Sequence, residues 1–173
     1  MKTLILGGVR SGKSRLAETL ALRSQRRVSY IATATADDAE MHERIAAHRQ
    51  RRPADWILVE EPMRLSTTLQ KRATENTFVI VDCLTLWLTN LLLAADSTAL
   101  NREKQALLDS LPRLAGDIVF VSNETGMGVT PMGELTRRFV DEAGQLHQQL
   151  AQTCERVVLT VAGLPSVLKG EPL

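Results

Sequence analysis

Aromatic side chains are scarce in this chain: three phenylalanines, two tryptophans and one tyrosine, 3% of its residues. Its core must be aliphatic, and a surface that stacks successive nucleic-acid bases is short of rings, which argues against a nucleic-acid motor. Cysteine is nearly absent as well. Cys83 and Cys154 stand far apart without a CxxC partner, so no zinc framework is visible and two buried thiols in a reducing compartment are expected. Neither sign of charge is in excess. With 21 Lys and Arg against 20 Asp and Glu, no net field draws the protein to nucleic acid or an anionic membrane, and local anion sites must do any recruiting. Long hydrophobic runs are missing too. The apolar run before Gly7 is only about four residues, against roughly 7–15 for a signal h-region, and no window approaches the roughly 18 of a membrane span. Repeats and low-complexity linkers are also lacking, so the 173 residues read as a single domain, residues 1–173, expected in the cytoplasm.

What is present is concentrated at the start. Lys2-Thr3-Leu4-Ile5-Leu6 is a short apolar strand, followed by Gly7, Gly8, Val9, Arg10, Ser11, Gly12, Lys13 and Ser14. This is the strand, loop and helix context of a phosphate-binding loop. Gly7 and Gly12 permit positive φ and leave room for phosphates, so the intervening N–H groups converge on anionic oxygens. Lys13 brings a positive charge to the β- and γ-phosphates, Ser14 a hydroxyl to Mg²⁺, and the helix opening there turns its positive dipole end to the anion. A glycine-rich turn that binds nothing is the plainer alternative; the complete pattern directly after an apolar strand speaks against it.

Strands and helices then alternate. Helical spacing predicts a helix over 14–26, a strand over 28–32 ending in Thr33-Ala34-Thr35, a helix from Asp37 and Asp38 to about residue 51, and a strand over 56–60. A short helix over 65–73 follows. Phe78-Val79-Ile80-Val81-Asp82 reads as a strand buried on both faces, with Asp82 at the ligand edge. In a phosphate-loop protein such an acid holds Mg²⁺, directly or through water; capping the next helix is the other reading. Helices are predicted over 84–95, 100–111 and 132–151, and strands over 117–122 and 156–161, the last closing the sheet and leaving a tail. The loop from Asn123 to Pro131, with two glycines and Glu124, looks like a second piece of the active edge. His147, beside Gln145, Gln148 and Gln149, reads as solvated or capping. The economical fold is α/β, a mostly parallel sheet with helices on both faces, whose strand order the pattern does not reveal.

The helix before Pro53 is the least routine stretch. His42 and His48 are six residues apart and point about 120° apart, so they should not share a metal. His48 shares a face with Arg44, Ile45 and Arg52, and Arg49 and Arg51 lie nearby. Four guanidinium groups around one imidazole could hold a polyphosphate while a ring nitrogen attacks phosphorus, and neighbouring cations favour the neutral, nucleophilic ring. A solvated basic helix with an incidental histidine fits the same residues.

Taken together, Gly7-Gly-Val-Arg-Ser-Gly-Lys-Ser14, Tyr30-Ile-Ala-Thr33, Arg44-Ile45 with His48-Arg49 and Arg52-Pro53, Val81-Asp-Cys-Leu84 with Thr89-Asn90, Ser122-Asn-Glu-Thr-Gly-Met-Gly-Val-Thr-Pro131 and Val161-Ala-Gly-Leu-Pro165 span essentially the whole chain. They resemble the bifunctional adenosylcobinamide kinase and adenosylcobinamide-phosphate guanylyltransferase family of cobalamin synthesis. The resemblance implies a single P-loop NTPase domain with a RecA-like sheet, a homotrimer, and GTP and ATP as substrates with Mg²⁺. It implies two reactions on a corrinoid: phosphorylation of adenosylcobinamide, then GMP transfer from GTP through a GMP-histidine intermediate. Carried over, Gly7 to Ser14 with Lys13 would hold phosphates, and His48 would be the guanylylated nucleophile. Ala32, Thr33, Ala34, Arg49, Gln50, Arg51, Arg52, Glu60 or Glu61, and Asp82 would line the nucleotide, with Ser14 and Asp82 on the metal. Some family sequences have two adjacent histidines in the middle helix; here Ala47 precedes His48, and His42 is the fallback. A phosphate-loop ATPase or simple kinase with an inert His48, and a non-enzymatic nucleotide switch, are the competing readings.

Overall fold

Residues of the central strands are buried on both sides, and their two faces pack on different helices. The structure, a computed structural model, describes residues 1–35 and 53–173; the predicted middle helix, with His42, Arg44, His48, Arg49, Gln50, Arg51 and Arg52, lies outside the described residues. The strands are β1 (Lys2–Gly7), β2 (Arg27–Ala32), β3 (Ile57–Glu60), β4 (Thr77–Asp82), β5 (Asp117–Asn123), β6 (Arg156–Val161) and β7 (Leu164–Lys169). The helices are α1 (Lys13–Ser24), α2 (Leu65–Arg72), α3 (Leu84–Leu92), α4 (Ala99–Ser110) and α5 (Glu134–Thr153). One seven-stranded sheet runs β3-β2-β4-β5-β1-β6-β7, with every pairing parallel except β6 with β7.

Alternate residues of each strand serve alternate faces. Ile5, Tyr30, Ile80, Val119, Val121 and Val158 pack against Ala17 and Ala21 of α1. Leu4, Leu6, Val79, Val81, Ile118 and Phe120 pack against Leu65, Leu88, Leu107 and Leu146, one from each of α2 to α5. The chain from β1 to β2 moves toward one edge with α1 on one face. From β3 to β6 it moves toward the other edge with α2 to α5 on the opposite face. Reversing both direction and face keeps one handedness, as twisted parallel strands require.

Two expectations need correction. The tail after β6 is not loose: it returns as β7, antiparallel to β6, through Ala162 (φ 50°) and Gly163 (φ 81°). Two central residues of positive φ form the hairpin turn whose twist matches its strands. Pro165 is tolerated because β7 is an edge strand. His147 is not solvated: it is buried with Ala143, Leu146 and Leu150 on the inner stripe of α5. Helix ends otherwise move by a few residues; α1 stops at Ser24 because Gln25 is left-handed (φ 55°).

Within the larger core Trp87 is wholly buried, and its indole N–H donates to the Met63 carbonyl at 2.8 Å. Leu88, 0% exposed beside it, and Leu22, 58% exposed on α1, give a contrast. Leu88→Ala is expected to cost about 2–5 kcal/mol, and Leu22→Ala to stay within about 0.5 kcal/mol. Urea midpoints at unchanged slope measure both.

Candidate active site

Because six strands are parallel, their carboxyl ends share one edge. Register places Ala32 beside both Glu60 and Asp82, and Gly7 beside both Asn123 and Thr160. The phosphate loop rises from β1 in the middle of this edge. At Gly7 a Cβ would lie 2.3 Å from the Thr160 carbonyl oxygen and 2.6 Å from Ser11 Oγ, so only glycine fits there. Gly12, at φ 98°, opens α1. The loop is tied by the Ser11 N–H to the Gly8 carbonyl (3.2 Å) and by the Gly163 N–H to the Ser11 carbonyl (2.9 Å). Gly8, Val9 and Arg10 are exposed on it, and Ser14 is half-buried.

Lys13 is 6% exposed and its Nζ donates to the Gly8 carbonyl at 2.6 Å. Burial lowers its pKa, opposed by the Asp82 carboxylate. Asp82 is therefore close enough to Lys13 to act on it electrostatically. Its Oδ2 accepts a 2.6 Å hydrogen bond from the Tyr30 hydroxyl, which fixes the carboxylate's orientation. The buried Cys83 thiol next to it is pushed up to about 11, first by burial and then by Asp82, and is unreactive at neutral pH.

Thr33 is fully buried and clamps two strand ends. Its hydroxyl donates to the Cys83 carbonyl (2.7 Å) and accepts the Cys83 N–H (2.8 Å), while its own carbonyl accepts from Asn90 (2.8 Å). Ala32 and Ala34 flank it, half-buried at the same edge. Glu60 ends β3 beside Ala32 and is exposed. Glu61 turns the other way: its carboxylate accepts the Met63 N–H (2.9 Å), the Arg64 N–H (2.7 Å) and the Thr68 hydroxyl (3.2 Å) around the start of α2. His48, Arg49, Gln50, Arg51 and Arg52 lie outside the described residues.

Sequence reasoning missed the contacts made by Tyr30, His147 and Ser122. Tyr30 lies two residues before the end of β2, on the face that Asp82 shares, and strand alternation is the signal for it. His147 sits four residues after Ala143 and three before Leu150, on the apolar stripe. Its Nε2 is 2.7 Å from Ser122 Oγ, and its Nδ1 is 3.9 Å from Glu124 Oε2. Burial lowers its pKa against the pull of Glu124, leaving a neutral ring at neutral pH.

An oxygen-lined edge with a buried lysine suits a nucleoside triphosphate, and the comparisons with known proteins agree. Residues 3–168 match the model of the family described as cobinamide kinase / cobinamide phosphate guanyltransferase. The chain is 62% identical over its whole length to the whole of the bifunctional adenosylcobalamin biosynthesis protein CobP of Pseudomonas aeruginosa. Over 98% of its length it is 38% identical to the whole of the bifunctional adenosylcobalamin biosynthesis protein CobU of Escherichia coli K12. Among solved structures, the RadB recombinase superposes with a TM-score of 0.52 over 91% of this chain and 73% of that one; at 20% identity, this likeness concerns the RecA-like fold alone. With the family match spanning nearly the whole chain and both relatives aligned along their full lengths, the chain belongs to the cobinamide kinase / cobinamide phosphate guanyltransferase family.

Proposed function

We propose that the loop from Gly7 to Ser14 grips a nucleoside triphosphate and that the chain uses it for two transfers to a corrinoid. As a member of its family the chain is a kinase and guanyltransferase of cobalamin biosynthesis. The observation that carries the reading is the buried Lys13 at the β1 edge, facing Asp82 across the strand ends. In the first transfer, ATP or GTP gives its γ-phosphoryl to the hydroxyl of adenosylcobinamide. Lys13 and the loop N–H groups offset charge on the phosphates, and Ser11 Oγ, buried without a protein partner, adds a hydroxyl inside the loop.

Ser14 and Asp82 would hold Mg²⁺. Hard oxygen donors with a single carboxylate suit this ion, which takes its remaining ligands from phosphates and water. Among the described residues no cluster of three or more metal-ligating side chains occurs. When bound, Mg²⁺ would neutralise phosphate charge. Tyr30 presets the Asp82 carboxylate for it. At the far side of the edge, Glu60 rather than Glu61 is the acid assigned to the nucleotide, because both Glu61 oxygens serve the start of α2.

In the second transfer, a ring nitrogen of His48 attacks the α-phosphorus of GTP, forming an N–P bond while pyrophosphate leaves. The corrinoid phosphate then displaces the imidazole and takes up GMP. Arg49, Arg51 and Arg52 supply the charge that such a polyphosphate needs, with Gln50 between them. A covalent intermediate divides one hard displacement into two easier ones. No described helix is long and apolar enough to cross a membrane. A cytoplasmic enzyme suits the two free, buried cysteines. A homotrimer would cover apolar residues exposed at Val129, Met132 and Leu164.

Incubation with α-labelled GTP is expected to add GMP to the protein, removable by acid and stable to alkali. His48→Asn should abolish the adduct and His42→Asn should leave it; a retained γ-label without α-label would count against nucleotidyl transfer. Lys13→Ala is expected to weaken nucleotide binding at least about tenfold in calorimetry, losing a charge-assisted contact of about 1.5–3 kcal/mol. Light scattering should report three chains per particle, and a monomeric mass would remove the trimer.

A further inference from the structure

β5 ends in Ser122-Asn123 and runs into Glu124, directly beside the strand that carries the phosphate loop. The Glu124 N–H donates to the Gly7 carbonyl at 2.9 Å, which anchors this acid to the first residue of the loop. After β1 the chain leaves toward the α1 face; after β5 it leaves toward the α5 face. A crevice therefore opens between Gly7 and Asn123, and at such a reversal a parallel sheet receives its ligand.

Behind Glu124 stands a buried polar pair. Ser122 is 0% exposed and His147 6%, with Oγ and Nε2 2.7 Å apart. A neutral imidazole carries one ring proton. When the Ser122 hydroxyl donates to Nε2, that proton sits on Nδ1, the nitrogen 3.9 Å from Glu124 Oε2. The other carboxylate oxygen, Oε1, accepts the Gly126 N–H at 2.7 Å. Closing the turn needs only the Gly126 bond. A serine and a histidine buried behind the same carboxylate are the arrangement expected where its direction matters.

We propose that Glu124 is a catalytic residue of the phosphoryl-transfer step, accepting the proton of the corrinoid hydroxyl, and that Ser122 and His147 position it. The hydroxyl oxygen bonds to the γ-phosphorus as the bond from that phosphorus to the β,γ-bridging oxygen breaks. The O–H proton passes to a Glu124 carboxylate oxygen and then to solvent, and the nucleoside diphosphate leaves with the electron pair. The assignment rests on the phosphate loop being the kinase site.

The test uses the full chain, adenosylcobinamide and γ-labelled nucleotide. The isosteric Glu124→Gln is expected to lower kinase kcat by about 100-fold or more, the scale of general base catalysis, with nucleotide KM within about twofold. Ser122→Ala, which removes only the hydroxyl behind the ring, should lower kcat by about tenfold with KM again held. A Glu124→Gln enzyme within about threefold of wild type would overturn the assignment. So would a variant in which kcat, KM and thermal midpoint worsen together, since that marks a structural turn. Wild-type protein that transfers no γ-phosphoryl would overturn the kinase reading itself, and this one with it.

Discussion

The constraint on which the candidate site rests is the approach of the β6 backbone to Gly7. A side chain there would collide with the Thr160 carbonyl at 2.3 Å, so the first loop residue can be nothing larger than glycine. The rest of the site is built outward from this contact. The Gly7 carbonyl accepts from Glu124 on one side, and the Gly163 N–H ties the loop at Ser11 on the other. Two neighbouring strands thus hold the loop in place before any ligand arrives. Preorganised donors of this kind need no rearrangement as charge moves between phosphates.

Burial does the second part of the work. Lys13 is kept among protein atoms, where its charge is costly unless an anion is near. Asp82 offsets part of that cost and is itself aimed by Tyr30. An anion held in the loop would offset the remainder. The thiols have the opposite fate. Cys154 is pushed up to about 12, mainly by burial, and takes no part in chemistry.

Most of the architecture was legible in the sequence because its signals are local. The run into Gly7-Gly8, the acid-ended β4 and the stepping of Ala143, Leu146 and Leu150 each depend on neighbours a few residues away. What escaped depends on partners far apart in the chain. His147 looked solvated among glutamines, and only the packing of α5 on β5 brings it to Ser122, 25 residues earlier. Glu60 and Glu61 were indistinguishable until one of them turned back on α2. β7 was hidden by Pro165 and Gly163, which discourage a strand reading even though an edge hairpin accommodates both.

The last strand also has a mechanical role. Lys169 Nζ donates to the carbonyls of Ala151, Gln152 and Cys154, closing acceptors that the end of α5 leaves open. The terminal hairpin is thereby bolted to the helix that carries His147. A stretch that looks like a disposable appendage in the amino-acid string thus braces the C-terminal end of that helix, about one turn beyond the buried ring, and a tag or fusion placed inside it would be felt some distance from where it was attached.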